Sequence, residues 1–435
     1  MRIAPSRAFG LLLVTLLAAA AVLIPSDART DTATGVAHYV AGTQARAKGD
    51  FDAYAKSMSD ALQELRGHSI LYRHIAQAHC LAGRLGPALA ALQHLAETGA
   101  YFELQSNEDF ETLRENPEFI AAMEVVEANK LPLGEATVYR TLDDPLLVPE
   151  GIAYDPVEKA LYVSSIRGRK ILKVGPDGKT EDFAKGLASY YAGLGLKVDA
   201  QRRTLWAVSA SFNGMLGHDE SNHGWASLSA FDLETGERTR EFVVEASVDV
   251  THNFNDLVLD SAGTVFLTDA ATGALYSLPV GSDELEELFP AGTLFGPNGI
   301  ALDEEHGLLY VAQYSLDIAV IDLVSQEIGS LAQSDEVATF GVDGLYFHDN
   351  ELIAVQNHPA LDRIARFVLG EGGKSIDREE ILARRLEAFE EPTTGTFVDG
   401  DFVFIANSQI AIYDQMEPPV APDSLQPIVL LRVKL

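Results

Sequence analysis

One column of side chains in the C-terminal two thirds of the chain carries oxygen atoms of the kind that bind metal ions. The column residues stand just before a glycine, or before Asp256, at the start of six similar segments; in chain order they are Glu150, Leu194, Asn255, Asn298, Asp343 and Thr394. Hard oxygen ligands prefer Ca²⁺ or Mg²⁺ to zinc, and Ca²⁺ tolerates irregular geometry better than Mg²⁺. The sequence therefore predicts a Ca²⁺ site built from the carboxylate and amide members, which are Glu150, Asn255, Asn298 and Asp343.

A plainer interpretation is that the column marks turns. Asn-Gly and Asp-Gly are ordinary turn dipeptides, so Asn298-Gly299 and Asp343-Gly344 could form turns and nothing more. Two members do not fit this interpretation, because Glu is a poor turn former and Asn255 is followed by Asp256 rather than by glycine. These two exceptions favour the metal site.

A calcium ion in such a site can polarise a carbonyl or phosphoryl oxygen and stabilise the negative charge that develops on it. Asp343 could act on water as a general base or attack as a nucleophile, and the sequence leaves both open. His252 precedes Asn255 and could support it from outside the ligand set. Other polar loop residues are expected around the same site: Arg167, Arg169, His218 and His223 within 211–225, Asp269, Gln313, Tyr314, Asn357, His358, Asn407 and Ser408.

Several other chemistries lack their motifs. There is no Gly-x-Ser-x-Gly nucleophile elbow, no His-Glu-x-x-His zinc motif, and a single cysteine, Cys80. Gly193-Leu194-Gly195 is not followed by the further glycine of a dinucleotide-binding loop. These absences argue against a serine hydrolase, a zinc enzyme and a nucleotide-dependent enzyme.

The elements that position the column are predicted to be six repeated units. The units start at Gly151, Gly195, Asp256, Gly299, Gly344 and Gly395, and each has room for four short strands. Radial repetition of four-stranded sheets is the β-propeller, so residues 135–435 are expected to form a six-bladed β-propeller. The residue entering each innermost strand would lie at the mouth of the central channel. The strand-like segment 136–142 is predicted to close the ring beside 428–433, and in 160–164 alternate residues should face opposite neighbours.

The region from residue 33 to 130 is predicted to be helical. Gly49 and Gly83 lie 34 residues apart, and each separates two amphipathic helices, Val36–Lys48 from Phe51–Leu65 and Ile70–Ala82 from Pro87–Thr98. A helix-turn-helix repeat of this period resembles the tetratricopeptide class. The module could dock a protein partner or cap the following domain. The fold expected for the whole chain is mainly β, with a small α-helical repeat module before the propeller.

The N-terminus predicts export. Arg2 and Arg7 precede an apolar run from Phe9 to Ile24, and Ala28 ends a small-x-small cleavage site, so residues 1–28 are interpreted as a signal peptide. An uncleaved membrane anchor is the alternative. The chain is expected to be periplasmic or secreted. Its formal net charge of -32 argues against nucleic acid and against an anionic membrane surface as partners.

At the column the chain resembles the calcium-dependent six-bladed propellers that include gluconolactonases, senescence marker protein (regucalcin), diisopropyl fluorophosphatase and the paraoxonases. The resemblance implies that Glu150, Asn255, Asn298 and Asp343 share one Ca²⁺, and that His358, in a His-Pro pair as in the paraoxonases, is a site residue. It implies hydrolysis of a small-molecule lactone, ester or phosphotriester. A non-catalytic, calcium-stabilised scaffold for protein or ligand binding is the alternative function. A weaker one is a lyase or synthase on a strictosidine synthase-like propeller, which Phe266-Leu267-Thr268-Asp269 resembles.

Overall fold

The structure, a computed structural model, describes residues 31–416 and 420–435. These residues form two compact units. The first contains the helices up to Lys130 together with Ile328–Thr339, and the second contains Leu131–Glu327 and Phe340–Leu435. The signal peptide predicted for residues 1–28 lies outside the described residues. Among the helices that are described, none has both the length and the apolar character needed to cross a membrane.

The first unit is built from five α-helices and one 3₁₀ turn. They are α1 (Asp31–Ala47), α2 (Phe51–Glu64), α3 (Ser69–Leu81), α4 (Leu85–Glu97), the 3₁₀ turn Glu108–Leu113 and α5 (Pro117–Ala128). The first four cover the four predicted helices. Gly49 and Gly83 follow α1 and α3 with φ of +73° and +72°, the left-handed conformation that ends helices and favours glycine. The side chain of Asp50 then accepts a hydrogen bond from the N–H of Ala53 and caps α2.

The strands form the predicted six-bladed β-propeller, and the helical region precedes it in the sequence as expected. Its first five blades follow the chain, and each contains four consecutive strands. The first blade contains β3 (Pro149–Asp155), β4 (Ala160–Ser165), β5 (Lys170–Val174) and β6 (Thr180–Lys185), and the second contains β7 (Ala192–Asp199), β8 (Thr204–Ala210), β9 (Ala226–Asp232) and β10 (Arg238–Val244). The third contains β11 (Phe254–Leu259), β12 (Val265–Asp269), β13 (Ala274–Leu278) and β14 (Glu286–Phe289); the fourth contains β15 (Pro297–Asp303), β16 (Leu308–Gln313), β17 (Ile318–Asp322) and β18 (Ile328–Ser330); and the fifth contains β19 (Val342–His348), β20 (Glu351–His358), β21 (Leu361–Leu369) and β22 (Ile376–Arg384). Three 3₁₀ turns, Pro145–Leu147, Glu220–Asn222 and Pro422–Ser424, lie in its connections.

The sixth blade confirms the predicted closure of the ring. It contains β23 (Gly395–Val398), β24 (Asp401–Ile405), β25 (Ile428–Val433) and, from the start of the propeller, β2 (Thr137–Leu142). β2 pairs antiparallel with β25, from Thr137 opposite Arg432 to Leu142 opposite Ile428. The segment before it supplies the two-residue strand β1 (Leu133–Gly134), which pairs with β22. A short helix, α6 (Ile410–Tyr413), follows β24.

Neighbouring blades pack face to face, and this explains why strands in the middle of a blade are buried on both sides. In β4, Leu161 and Val163 pack in one apolar cluster with Val403 and Ile405 of the sixth blade. Tyr162 packs on the opposite face, in a cluster that also contains residues of the second blade. The predicted alternation is therefore confirmed. Each fully buried aliphatic side chain of this kind contributes about 1.5–3 kcal/mol, so the blades hold their inner strands firmly in place.

A buried histidine in the helical unit makes the stability of that unit sensitive to acid. Burial, together with the charges of Arg73 and Arg46, lowers the pKa of His74 to about 3, and its Nδ1 lies 2.5 Å from the hydroxyl of Tyr54. The unfolded chain, with a His pKa near 6.5, binds a proton that the folded state does not. Stability should therefore fall below about pH 6.5, by about 1.4 kcal/mol per pH unit while His74 stays neutral in the fold.

The measurement is thermal unfolding of the full chain followed by helical circular dichroism between pH 7 and pH 4. His74→Gln should show a shallower fall in the midpoint than the wild type. The exposed His94, with 49% of its side chain accessible, provides the control His94→Gln, which should follow the wild type. Superimposable acid profiles for the wild type and His74→Gln would contradict this account.

Candidate functional site

The column residues lie in or next to the innermost strand of each blade, where five of these strands are irregular. In β3, β7, β11 and β15 two residues stand opposite one residue of the neighbouring strand, and these pairs are Glu150-Gly151, Leu194-Gly195, Asn255-Asp256 and Asn298-Gly299. The register of β19 shifts at Asp343. A β-bulge bends a strand and redirects its side chains. The bulges therefore explain how each column side chain leaves the blade and turns toward the channel.

The glycine after each column residue is required by close packing between blades. A Cβ atom on Gly151 would lie 2.1 Å from the carbonyl oxygen of Leu194, and one on Gly299 would lie 2.4 Å from that of Asp343. Gly344 similarly faces the carbonyl oxygen of Thr393. None of these three glycines has a left-handed backbone conformation. The turn interpretation is therefore wrong for Asn298-Gly299 and Asp343-Gly344, which lie inside strands.

Three of the four predicted ligands hold an oxygen atom that is buried and has no hydrogen-bond partner among the described residues. These atoms are Oε2 of Glu150, Oδ1 of Asn255 and Oδ1 of Asn298. Leaving a buried acceptor unpaired costs about 1–3 kcal/mol, and more when the group is charged. Glu150, Asn255 and Asn298 are the first three members of the column that carry an oxygen donor. Their unpaired oxygens are therefore expected to bind one shared cation.

Asp343 completes the set through a different arrangement. Its carboxylate accepts hydrogen bonds from the side chain of Asn298 and from Nδ2 of Asn357, the latter at 2.6 Å. Asn357 in turn accepts a hydrogen bond from the hydroxyl of Tyr314 at 2.9 Å. The side-chain amides of Asn298 and Asn357 orient the carboxylate of Asp343. The amide oxygen of Asn298 takes no part in this contact. Asn357 and Tyr314 were both predicted to border the site.

The electrostatics of the site show an excess of buried negative charge. Burial raises the pKa of Glu150 well above its usual range, and the nearby carboxylates of Asp343 and Asp256 raise it further. Burial also raises the pKa of Asp343 to about 7, although the amide hydrogen bonds oppose this, and the charge of Glu391 adds to the rise. Only Lys197 lowers the pKa of Glu150. A divalent cation would relieve the repulsion among these carboxylates.

Sequence reasoning missed two members of this cluster. Asp256 occupies the position that glycine fills in the other blades, so it was treated as a replacement for glycine rather than as a charge. Its carboxyl group is buried, Oδ1 accepts the N–H of Leu257 at 2.8 Å, and Oδ2 has no partner among the described residues. Lys197 lies on β7 with its Nζ 4.5 Å from the ring centre of Tyr346. The signal available in the sequence was an acidic residue, Asp256, directly after a column position where the other blades have glycine.

The residues therefore fit a calcium ion in the kind of donors they present. The four column side chains offer two carboxylates and two amide oxygens, a hard oxygen set that suits Ca²⁺. Within residues 31–416 and 420–435, no three His, Cys, Asp or Glu side chains form a metal-binding group. A site for zinc or another soft metal thus finds no support in this part of the chain, and a mixed carboxylate and amide site stays a prediction.

His358 lies apart from the contacts around Asp343. Its Nδ1 accepts a hydrogen bond from the N–H of Ala360 at 3.1 Å, and its ring packs edge-on against Phe340. The preceding residue, Asn357, makes the contact with Asp343 instead. A catalytic role for His358 stays a prediction.

Several loop residues predicted near the site are used to hold the backbone. Arg169 donates to the carbonyl oxygens of Tyr190, Leu187 and Leu216. Asn407 bridges Pro427 and Val429, and Ser408 donates to the carbonyl oxygen of Glu391. Their polarity satisfies main-chain groups in the loops.

Two side-chain pairs that include histidine lie at the same end of the propeller. His218 and His223, in the long connection between β8 and β9, have Nε2 and Nδ1 3.1 Å apart. Nδ1 of His252, three residues before Asn255, lies 2.7 Å from Oδ2 of Asp269 at the end of β12. The sequence had marked His252 only as a support for Asn255 and Asp269 only as a loop residue.

A cavity of about 770 Å³ opens among the connections of the first, second and sixth blades. Its lining includes Arg167, Met215, Leu216, Tyr413, Asp414 and Met416. It lies on the side of Glu150, because the N–H of Ile166, next to Arg167, bonds the carbonyl oxygen of Val148. Val148 and Ile166 belong to the same apolar cluster as Leu194 and Met215. The cavity is thus a partly apolar space among the loops at the end of the propeller where Glu150 lies, and none of the four predicted ligands is among its lining residues.

We expect Asp256→Asn to stabilise the metal-free protein, because it removes a buried negative charge while Oδ1 can still accept the N–H of Leu257. The thermal midpoint in excess chelator should rise, with about 2–4 °C for each kcal/mol gained. Differential scanning calorimetry makes the measurement. Asp283→Asn, at a side chain that is 99% exposed, is the control and should leave the midpoint unchanged. A midpoint lowered by Asp256→Asn in chelator would show that the buried charge is a structural requirement.

Comparisons with known proteins agree with the architecture of the second unit. Residues 148–344 match the family model described as SMP-30/Gluconolactonase/LRE-like region. No curated protein matches the chain.

Solved structures that align with the chain include a gluconolactonase from Xanthomonas campestris (17% identity, 70% of this chain and 92% of that chain, TM-score 0.47). A calcium-binding regucalcin from Agrobacterium tumefaciens also aligns (16% identity, 68% and 95%, TM-score 0.45). So does a PQQ-bound aldose sugar dehydrogenase from Streptomyces coelicolor (14% identity, 70% and 99%, TM-score 0.48). The family match over 148–344 contains all four predicted ligands. The expected resemblance is therefore confirmed: this chain carries an SMP-30/gluconolactonase/LRE-like region within a six-bladed β-propeller.

Proposed function

We propose that this protein is a calcium-dependent hydrolase of lactones or esters. The observation that carries the proposal is the set of buried, unpaired oxygens on Glu150, Asn255 and Asn298 beside an over-charged group of carboxylates. The SMP-30/gluconolactonase/LRE-like match supports lactones as the substrate class. A protein with this column but no turnover would be the non-catalytic, calcium-stabilised scaffold instead.

In this proposal Glu150, Asn255, Asn298 and Asp343 hold the calcium ion. Bound calcium would supply a Lewis acid that polarises the substrate carbonyl. The chain itself fixes the ligands: the carbonyl oxygen of Glu150 accepts the hydroxyl of Thr393 at 3.0 Å, which ties the first blade to the sixth. Asn357 holds the carboxylate of Asp343 in one orientation. Loss of such a supporting contact usually lowers metal affinity or activity by 10–100-fold.

The cavity beside the column is proposed to hold the rest of the substrate. Methionine and leucine side chains line it, and the guanidinium of Arg167 hydrogen-bonds the side chain of Tyr413 at its border. The hydroxyl of Tyr413 donates to the carbonyl oxygen of Gly214 at 2.6 Å, which joins α6 to the connection between β8 and β9. These contacts shape a space for a substituent of the lactone or ester that is partly apolar.

The proposal predicts hydrolysis of at least one compound in a panel of lactones and aryl esters by the purified, calcium-loaded protein. Chelation should abolish turnover, and Glu150→Gln should lower kcat/KM by at least about 100-fold, because it removes a charged ligand. Glu181→Gln, at an exposed position on β6, should leave turnover unchanged. Calcium binding without turnover of any compound would overturn the hydrolase and leave the scaffold.

We further predict that Leu216→Trp raises KM about tenfold for substrates with a bulky apolar substituent and leaves kcat unchanged, because the indole would fill part of the cavity. Steady-state kinetics on a small and a bulky lactone make the measurement. Val324→Trp, at a residue that is 90% exposed, is the matched control. Equal KM values for Leu216→Trp and the wild type on the bulky substrate would remove the cavity from the binding site.

Two further expectations complete the proposal. The protein is proposed to be exported to the periplasm or beyond the cell, with residues 1–28 removed. The N-terminal residue of the protein recovered from the extracytoplasmic fraction, determined by mass spectrometry, tests this. The helical unit is proposed to bind a protein partner or to act as a cap, and neither role is needed for the chemistry at the column.

A further inference from the structure

The pairing of His252 with Asp269 has the geometry of a histidine that is prepared to accept a proton. Nδ1 of His252 lies 2.7 Å from Oδ2 of Asp269, and the side chain of Asp269 is fully buried. The backbone N–H of His252 donates to the carbonyl oxygen of Gly224 at 2.7 Å. Both the ring and the main chain of His252 are therefore held in place.

The carboxylate of Asp269 is itself fixed by the surrounding main chain. Its Oδ1 accepts the N–H groups of Asn253, Ala271 and Thr272 at 2.9, 3.2 and 3.3 Å. Burial alone would raise the pKa of Asp269, but the hydrogen bonds from His252 and from these N–H groups outweigh it and hold the pKa below its usual value. An ionised carboxylate can only accept a hydrogen bond, so Nδ1 of His252 donates to Asp269 and Nε2 is the ring nitrogen left for chemistry.

Nε2 of His252 is available for chemistry. No group in the described part of the chain hydrogen-bonds this atom, and it is not among the fully enclosed polar atoms. The side chain is only 11% exposed, so the ring as a whole is largely shielded from solvent. His252 precedes Asn255 by three residues, which places their Cα atoms within about 10 Å of each other.

A second His–carboxylate pair in the propeller shows that such pairing alone does not make a site. Nδ1 of His306 also lies 2.7 Å from a carboxylate oxygen, that of Asp303. Asp303 ends the strand that Asn298 begins, so this pair lies roughly 15 Å from the column along β15. Its ring is 42% exposed. The carboxylate is buried in both pairs, so the position of the pair and the shielding of the ring are what distinguish His252.

We propose that His252 is the general base of the hydrolysis, and that Asp269 is the residue that positions it. This inference rests on the proposed hydrolase function. It assigns the proton transfer to the third blade, while Asp343 of the fifth blade serves as a ligand.

The step balances with water as the only co-reactant. Nε2 of His252 takes one proton from water as the water oxygen bonds to the carbonyl carbon of the lactone or ester, and the carbonyl π electrons move to oxygen. Collapse of this tetrahedral species re-forms the carbonyl and breaks the bond to the leaving oxygen. That oxygen takes the proton from Nε2, which yields a carboxylic acid and an alcohol and restores His252.

The test compares His252→Ala, Asp269→Asn and the matched control His306→Ala in the calcium-loaded full chain. His252→Ala should lower kcat by about 100–10,000-fold with little change in KM, and added imidazole should restore part of the loss. Asp269→Asn should lower kcat with KM unchanged, because the ring loses its fixed tautomer. His306→Ala should match the wild type.

The outcomes separate this inference from the function on which it rests. A wild type that hydrolyses lactones or esters beside an unimpaired His252→Ala overturns the assignment of His252 and leaves the hydrolase intact. A loss of activity in His252→Ala that comes with loss of bound calcium and does not respond to imidazole also overturns it. A wild type without turnover on any substrate overturns both.

Discussion

The close approach of six inner strands around one axis is the constraint on which the rest of this structure depends. At Gly151 and Gly299 there is no room for a Cβ atom, because the carbonyl group of the next blade occupies that space. The same crowding forces the preceding side chains out of the blades at β-bulges. Carboxylates and amides from different parts of the sequence therefore meet in a small buried volume that they would not share in any more open fold.

The buried carboxylates that meet here repel one another, and the chain itself offsets this repulsion only in part. Glu150, Asp256 and Asp343 repel one another in a buried setting, and Lys197 is the cation that opposes them in the described cluster. Apolar packing between blades supplies the energy that keeps these groups together. A bound divalent cation would satisfy the unpaired oxygens and offset the charge at the same time, so the proposed function would link metal binding to stability.

Much of the architecture could be predicted from the sequence because it depends on repetition. Six copies of one pattern indicated six blades, and the strand-like segment before the first copy indicated how the ring closes beside Ile428–Val433. The column was found because Glu150 and Asn255 break the turn pattern. Asp256 escaped notice because it fills a glycine position, and its burial depends on packing with the neighbouring blade. Arg169 and Asn407, which were predicted to border the site, hydrogen-bond main-chain groups of the loops, and polarity in a loop does not reveal such contacts in advance.

The contact between His252 and Asp269 also could not be predicted from the sequence. The relation of His252 to Asp269 depends on the register of β11 with β12, in which Phe254 lies opposite Asp269. That register places His252, two residues before Phe254, within reach of the buried carboxylate. A sequence pattern gives the two strands but not the bulge that shifts one against the other.

The central claim is that the column is a cation site, and calorimetric titration of the chelator-treated protein with Ca²⁺ tests it most directly. The account predicts one tightly bound calcium ion per chain in the wild type, and loss of that binding in Asn298→Ala, whose amide oxygen is one of the unpaired atoms. Absence of binding in the wild type, or unchanged binding in Asn298→Ala, would contradict it.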